Sequence, residues 1–400
     1  MPQSPRPTTK ASLGYDVAIV GAGPAGSACA ISLLQLRPDL RIVVIDRDAM
    51  PRPKSCGDLI SPVTQERLSA LGIDVDDAWT AVEHIISSPS GIEDSISGRP
   101  ESPWQQCRVI ERRDFDHALL NRARRTGAAV LEDHRFTEAT EVRSGWQLHL
   151  KGPDARTVPL TARVLIGADG ATSSVARAIG CPGSPGGDAV ALRGYAVITR
   201  DGAPWSGTRM DFLPWLLPAY AWAFSVDATG RTNIGVGRSV REARADEQSL
   251  HELLADYVNH LRRLGFEASP LTEVSGARLA ITARDHITSR RAALIGDAAG
   301  LVSPVDGEGI SMALASGIRL GTFMAAAEPD DDAAIDHALT AYADWFHRLA
   351  RPHLARGGRI SSWLANPVIA ERVLGHDGCA QYARLASGRM EPLRAAIAAG

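Results

Sequence analysis

Two short apolar runs, Tyr15–Val20 and Arg41–Ile45, flank the phrase Gly21-Ala22-Gly23-Pro24-Ala25-Gly26 and a helical stretch reaching about Leu36. No other feature constrains the chain as strongly. Strand, Gly-rich turn, helix and strand in this order make a unit that binds dinucleotides. Gly21 allows the tight turn, Gly23 lets the backbone approach a pyrophosphate, and Gly26 lets the helix pack close to the strand. The helix opens at Pro24 and Ala25, so its first amides and positive dipole end face the phosphates. Asp46, about 20 residues beyond the last glycine, is placed to accept hydrogen bonds from a ribose diol, with Arg47 beside it.

What surrounds this unit narrows the class. The chain has 400 residues, room for two or three domains, and its 44% hydrophobic content is that of a globular protein. A net charge of −3 gives no reason to expect nucleic acid as a partner. Cysteines stand at 29, 56, 107, 181 and 379. Their odd number and wide spacing argue against a disulfide framework, and no metal-ligand spacing is present. The eleven histidines are scattered outside motifs. Residues 1–13 are polar and Pro-rich, with no apolar core of a signal peptide, and read as disordered. The longest apolar stretch, Val17 to Leu36, is interrupted by Gly, Pro and Ser. These features lead to the expectation of a soluble cytoplasmic protein.

Along the chain, Ser61-Pro62 opens a helix to about Leu71. Arg112–Thr126 reads as a helix stopped by Gly127, residues 188–238 are β-like, and 246–265 have helical periodicity. Two further strand ends carry Gly/Asp phrases, Ile166-Gly167-Ala168-Asp169-Gly170-Ala171 and Leu294-Ile295-Gly296-Asp297-Ala298-Ala299-Gly300. With the first motif they resemble the FAD-dependent superfamily of the aromatic hydroxylases, flavin halogenases and geranylgeranyl reductases. The resemblance implies that Asp297 binds a ribityl hydroxyl and that Asp169 braces the dinucleotide turn. Arg112, in Arg112-Arg113-Asp114-Phe115-Asp116, matches the family's Arg-x-x-Phe-Asp, whose Arg contacts FAD. Pro304-Val305-Asp306-Gly307-Glu308-Gly309-Ile310 leads into a helix with small residues at Ser311, Ala313, Ala315, Ser316 and Gly317. Such a helix end can approach a planar ring, and its dipole favours negative charge there. In this reading Gly296, Pro304, Gly307, Glu308, Gly309 and Ile310 complete the FAD site.

Two segments point to one branch. Pro53-Lys54-Ser55-Cys56-Gly57-Asp58 is similar to the Pro-x-Lys-x-Cys-Gly segment of the geranylgeranyl and menaquinone side-chain reductases, where the Cys lies near the flavin and the prenyl chain. Pro218-Ala219-Tyr220-Ala221-Trp222-Ala223-Phe224-Ser225 resembles their Pro-x-x-Tyr-x-Trp-x-Phe-Pro, and Asn233-Ile234-Gly235-Val236-Gly237 follows. Leu59 and Ser225 depart from the pattern, where the branch has Gly and Pro. As a strand the second segment alternates, with Tyr220, Trp222 and Phe224 on one face and alanines on the other.

The expected fold is α/β: a Rossmann-like FAD-binding domain, an inserted mixed β-sheet substrate domain and a C-terminal helical segment. The FAD domain is expected in three pieces, 14–60, 105–185 and 278–325. The substrate domain takes 61–104 and 186–277, and the helical segment 326–400. The resemblance implies an FAD-dependent reductase of carbon–carbon double bonds in a prenyl-like or polyene substrate, with hydride from reduced flavin N5. Cys56 is the expected proton donor. The π faces of Tyr220 and Trp222 are expected to stabilise carbocation character. The alternatives are an FAD-dependent monooxygenase, hydroxylating or epoxidising a specialised metabolite, and a non-redox cyclase with the flavin as scaffold. No second Gly-x-Gly-x-x-Gly unit appears, so electrons are expected from transient NADPH or a donor protein. The substrate is expected to be apolar or lipid-like. Membrane contact is expected to be peripheral at most; Trp345, Phe346 and Trp363 are compatible with an interfacial helix, but a packed C-terminal helix is the preferred explanation.

Overall fold

The computed structural model describes residues 14–75, 78–97, 106–181, 189–240 and 248–386. The expected disorder of 1–13 lies outside these residues, as do the boundaries at 104/105 and 185/186 and the last part of the tail.

A first sheet carries the strands Ala292–Leu294, Thr157–Gly167, Gly14–Val20, Ile42–Ile45 and Ala129–Leu131 side by side, all parallel. Val17–Val20 and Ile42–Ile45 are apolar without alternation because both faces of this sheet are covered. The hairpin of Arg135–Val142 and Gly145–Lys151 extends Thr157–Gly167 with antiparallel pairing. Helix Pro24–Leu36 packs against Arg112–Thr126 and, more intimately, against Ile310–Ala325. That second crossing depends on small residues. A Cβ at position 317 would fall 2.3 Å from the Ala25 carbonyl oxygen, and one at 321 would fall 3.0 Å from that of Cys29.

A second sheet draws its strands from 83–97 and 189–279. Its order is Ala203–Pro204, Ala189–Arg200, Arg231–Ser239, Ala221–Ser225, Gly207–Asp211, Glu83–Ser87 and Glu93–Ser97. Only Gly207–Asp211 and Glu83–Ser87 pair in parallel. Alternation sorts its side chains between two cores. Ala221, Ala223, Ile234 and Val236 face helix Leu250–Arg263, which opens with a Ser249/Glu252 capping box. Trp222 and Phe224 face the C-terminal helices.

Those helices are Asp332–Trp345, a π-helical turn Phe346–Ala350, Arg351–Leu364, Pro367–Leu374 and Gly378–Ala386. Pro352 explains the widened turn, because it offers no N–H to the preceding carbonyls. Glu371 ties this region to the sheet by accepting hydrogen bonds from the Ser90 amide (2.7 Å) and the Ser88 and Ser90 hydroxyls. Phe346 is fully buried in the first core, as the preferred packed-helix reading of this segment expects. No helix among the described residues is long and apolar enough to cross a membrane.

Candidate active site

The dinucleotide turn has the geometry its glycines require. Gly21 has φ +110°, and a Cβ there would lie 2.2 Å from the Ala168 carbonyl oxygen. A Cβ on Gly26 would meet the Gly21 carbonyl oxygen at 2.0 Å. Around Gly23, by contrast, a Cβ would meet nothing within 4 Å, so this part of the turn faces open space. Gly23 caps helix Pro24–Leu36 and leaves its first amides toward that space. Asp46 is buried and accepts from the Ala22 amide (2.7 Å) and the Asp48 amide (3.1 Å), so its carboxylate holds the turn. Arg47 is exposed and pairs with Asp48.

Asp169 has a different task from the expected one. Its oxygens accept from the Ser173 hydroxyl (2.5 Å) and from the Ser174 (2.6 Å) and Val175 (3.1 Å) amides. It braces the start of helix Ser174–Ala178, whereas the dinucleotide turn meets this segment through the Ala168 backbone.

At the other end, Asp297 follows Gly296, whose φ of +59° lets the chain turn at the strand end. The Asp297 carboxylate lines the cavity and has no protein hydrogen bond among the described residues. Gly309 comes close to it: a Cβ there would fall 3.3 Å from Asp297 Oδ1. Gly307 has φ +67°, and Ile310 begins helix Ile310–Ala325. An open glycine turn, unfilled helix amides and a free carboxylate beside small residues fit FAD, whose pyrophosphate would lie at Gly21–Gly26 and whose ring end would lie at Asp297–Ile310.

Pro24, Asp297 and Ile310 line one part of a cavity of about 1450 Å³. One wall is the aromatic face of Ala221–Ser225 together with Tyr220. The Tyr220 ring lies 6.1 Å from Trp222, 5.5 Å from Phe212 and 6.5 Å from Tyr382. The Tyr220 hydroxyl donates to the Asp306 carbonyl (2.5 Å). Trp222 lies flat over Gly235, where a Cβ would be 2.1 Å from the indole ring. The loop carrying Cys56 packs directly on this wall, since a Cβ on Gly57 would meet Phe224 at 3.2 Å and Trp222 Nε1 at 3.3 Å.

A buried network fixes that loop. Trp222 Nε1 donates to Asn233 Oδ1 (3.0 Å), and Asn233 Nδ2 donates to the Cys56 carbonyl (2.8 Å) and to Asp58 (2.6 Å). Asp58 also accepts from the Tyr195 hydroxyl (2.5 Å) and the Arg112 amide (3.2 Å). Burial pushes the Asp58 carboxyl above its usual range, although all these donors favour its charged form. The Tyr195 ring is held between the guanidinium groups of Arg193 and Arg231, 4.5 and 4.0 Å from its centroid. Arg112 is buried and forms a bidentate pair with Asp116 (2.8 and 2.9 Å).

Asp306 and Glu308 both line the cavity on the loop before helix Ile310–Ala325. Glu308 Oε1 accepts from the hydroxyls of Ser61 (2.8 Å) and Thr64 (2.9 Å), and the Glu308 amide donates to Asp306 (3.0 Å). Burial raises both carboxyls above the usual carboxylate range, and Asp306 raises Glu308 further.

The structure thus gathers Cys56, Tyr220, Trp222, Arg112, Asp297, Glu308, Gly309 and Ile310 around one cavity. It leaves Arg47 on the surface. Sequence reasoning gave no role to Asp58, Tyr195, Asn233 or Tyr382. Asp58 and Asn233 stand inside the segments that carried the resemblance, but Tyr195 and Tyr382 had no motif to mark them.

A dinucleotide turn on a parallel sheet, with its ring end opening on a second, mixed sheet, defines a flavoprotein oxidoreductase. The model of the FAD binding domain family matches residues 14–353, and the chain belongs to this family. It is an FAD-dependent oxidoreductase. Among its relatives, menaquinone reductase of Mycolicibacterium smegmatis is 30% identical over 364 residues, covering 88% of this chain and 83% of the relative. Digeranylgeranylglycerophospholipid reductase 1 of Methanopyrus kandleri is 29% identical over 340 residues, covering 82% and 85%. A geranylgeranyl bacteriochlorophyll reductase-like protein from Thermoplasma acidophilum superposes with a TM-score of 0.79 at 21% identity, covering 96% of each chain. The p-nitrophenol 4-monooxygenase of Pseudomonas putida superposes at 0.70 with 16% identity, covering 95% and 98%. The last two likenesses establish the shared fold.

Proposed function

We propose that this enzyme reduces carbon–carbon double bonds in the prenyl chain of an apolar or lipid-like substrate. The observation that carries the reading is the aromatic wall of Tyr220, Trp222 and Phe224, packed on the Cys56–Gly57 loop beside the Asp297–Ile310 ring site. The names of the relatives, reductases of menaquinone and of digeranylgeranylglycerophospholipid, support the substrate class.

FAD, when bound and reduced, supplies the hydride. Gly21, Gly23, Pro24, Ala25, Gly26 and Asp46 would hold its pyrophosphate and adenosine side. Gly296, Asp297, Pro304, Gly307, Gly309 and Ile310 would hold its ribityl chain and ring. An isolated alkene accepts hydride poorly, so protonation must lead or accompany the transfer. Tyr220 and Trp222 present π faces that stabilise positive charge developing at carbon, an interaction of about 0.5–2 kcal/mol per ring. Arg112 and Asn233 hold Cys56 and its loop against that wall, where they shape the substrate passage. Electrons arrive from NADPH bound transiently or from a donor protein, and the enzyme meets its lipid substrate at a membrane surface without spanning it.

The test is a mass-difference experiment. Dithionite-reduced holoenzyme is incubated without oxygen with menaquinone and, separately, with a geranylgeranyl lipid; a parallel sample runs in air with a recycling reductant. A product heavier by two hydrogens per reduced bond is expected in the anaerobic arm, measured after the menaquinone ring has been reoxidised to the quinone. A product that gains oxygen, and only in air, would replace this reading with that of a monooxygenase.

A further inference from the structure

We infer that the Glu308 carboxyl, facing the cavity from the loop ahead of helix Ile310–Ala325, supplies the proton that reaches the alkene. The inference rests on the double-bond reduction proposed above and assigns to Glu308 the proton that sequence reasoning placed on Cys56.

The geometry singles out this residue. Glu308 is held at one oxygen only, by the two hydroxyls of Ser61 and Thr64. Its other oxygen has no hydrogen-bond partner among the described residues, and the side chain borders the cavity. Cys56 is placed differently, on the loop packed against Trp222 and Phe224, with its carbonyl held by Asn233. Tyr220 lies within electrostatic reach of Cys56, Asp306 and Glu308, so acid and aromatic wall border the same space.

The groups facing Glu308 come from four directions. Helix Pro62–Ala70 contributes Thr64 and Arg67, with Ser61 as its cap; Arg67 is turned to the carbonyl (2.9 Å) and hydroxyl of Ser311 and acts on Glu308 only at longer range. The same loop contributes Asp306, which in turn faces His353. The wall contributes Tyr220, and Cys107 and Tyr382 complete the surroundings. Ser61, Thr64, Arg67 and the helix N-terminus favour the carboxylate. Burial and the neighbouring Asp306 favour the acid, and they prevail. Among the described residues neither of these two buried carboxyls forms a salt bridge, and burial shifts both toward the acid form.

The step balances. The alkene's π pair forms a C–H bond to the Glu308 proton. The other carbon takes a hydride from the reduced cofactor, which is oxidised as the alkene is reduced. Solvent then returns a proton to the Glu308 carboxylate.

The variant Glu308→Gln keeps the size and the hydroxyl contacts but carries no acidic proton. It is expected to retain FAD and to be reduced by dithionite as wild type is. Its reoxidation by a geranylgeranyl lipid, which carries no quinone, should fall by about a hundredfold or more. Independently of turnover, infrared spectra at neutral pH should lose a protonated-carboxyl C=O band in Glu308→Gln. Wild-type turnover should decline as pH rises through the titration of the pair. Thr64→Val, which removes a donor to the charged form, should move that decline to higher pH; Asp306→Asn should move it lower. Turnover by Glu308→Gln close to the wild-type rate, an unchanged carboxyl band, or a pH profile that neither Thr64→Val nor Asp306→Asn moves would overturn the inference. A wild-type enzyme that forms no product heavier by two hydrogens would instead overturn the reductase reading.

Discussion

Trp222 owes its place to what lies beneath it. The indole covers Gly235 so closely that any Cβ would overlap the ring, and its N–H is committed to Asn233. Gly235→Ala should therefore lift Trp222 out of the wall, lowering stability by about 1–3 kcal/mol. Turnover should fall more than FAD content, as measured by urea unfolding and by the flavin absorbance of the purified protein. Asn233→Leu should be more damaging to the Cys56 loop. It removes three hydrogen bonds at once and leaves Asp58 buried with fewer donors. Limited proteolysis near Cys56 should accelerate in that variant. The aromatic face itself was legible, because alternation in a strand is local. The network behind it was not, since its partners come from positions 56–58, 112, 195, 222 and 233, and spacing along the chain carries no trace of such a meeting. Asp169 shows a subtler limit. Its motif was legible, yet the Ser173-Ser174 that follow are ordinary helix-start residues, and the carboxylate serves them.

At the level of elements, the crossing of helices Pro24–Leu36 and Ile310–Ala325 would join the two ends of the proposed cofactor site. The first helix begins at the glycine turn and the second begins beside Asp297 and Gly309. Gly317→Val should force the pair apart by setting side-chain carbons against the Ala25 backbone. Expected outcomes are loss of FAD on gel filtration and a melting temperature lowered by several degrees. The strand–turn–helix that starts this arrangement could be read from periodicity and glycines within a short window. Sheet order in the second layer could not. Gly207–Asp211 lies parallel to Glu83–Ser87, a non-local pairing that leaves no local pattern. The helical nature of the tail was also legible, whereas its seat against Phe212, Tyr220 and Trp222 depends on side chains that meet only in the folded chain.

Across the whole molecule, FAD would span the first sheet's strand ends and reach the second sheet, so its removal should loosen both. Protein freed of FAD should melt lower than holoprotein. Added FAD at a hundred times its Kd should restore about 2.7 kcal/mol, read as a concentration-dependent rise in Tm. The redox end and the remainder of the cavity are built by different parts of the chain. Strands and the glycine loops surround the ring site, while the last described helix, Gly378–Ala386, brings Ala383 and Ala386 to the cavity wall. Ala383→Leu should shift preference toward shorter prenyl chains and leave dithionite reduction of the flavin unchanged. Such a division separates two kinds of inheritance. A lineage can change which molecules it accepts by trading small side chains in the tail, while the chemistry, encoded earlier in the chain, passes on untouched.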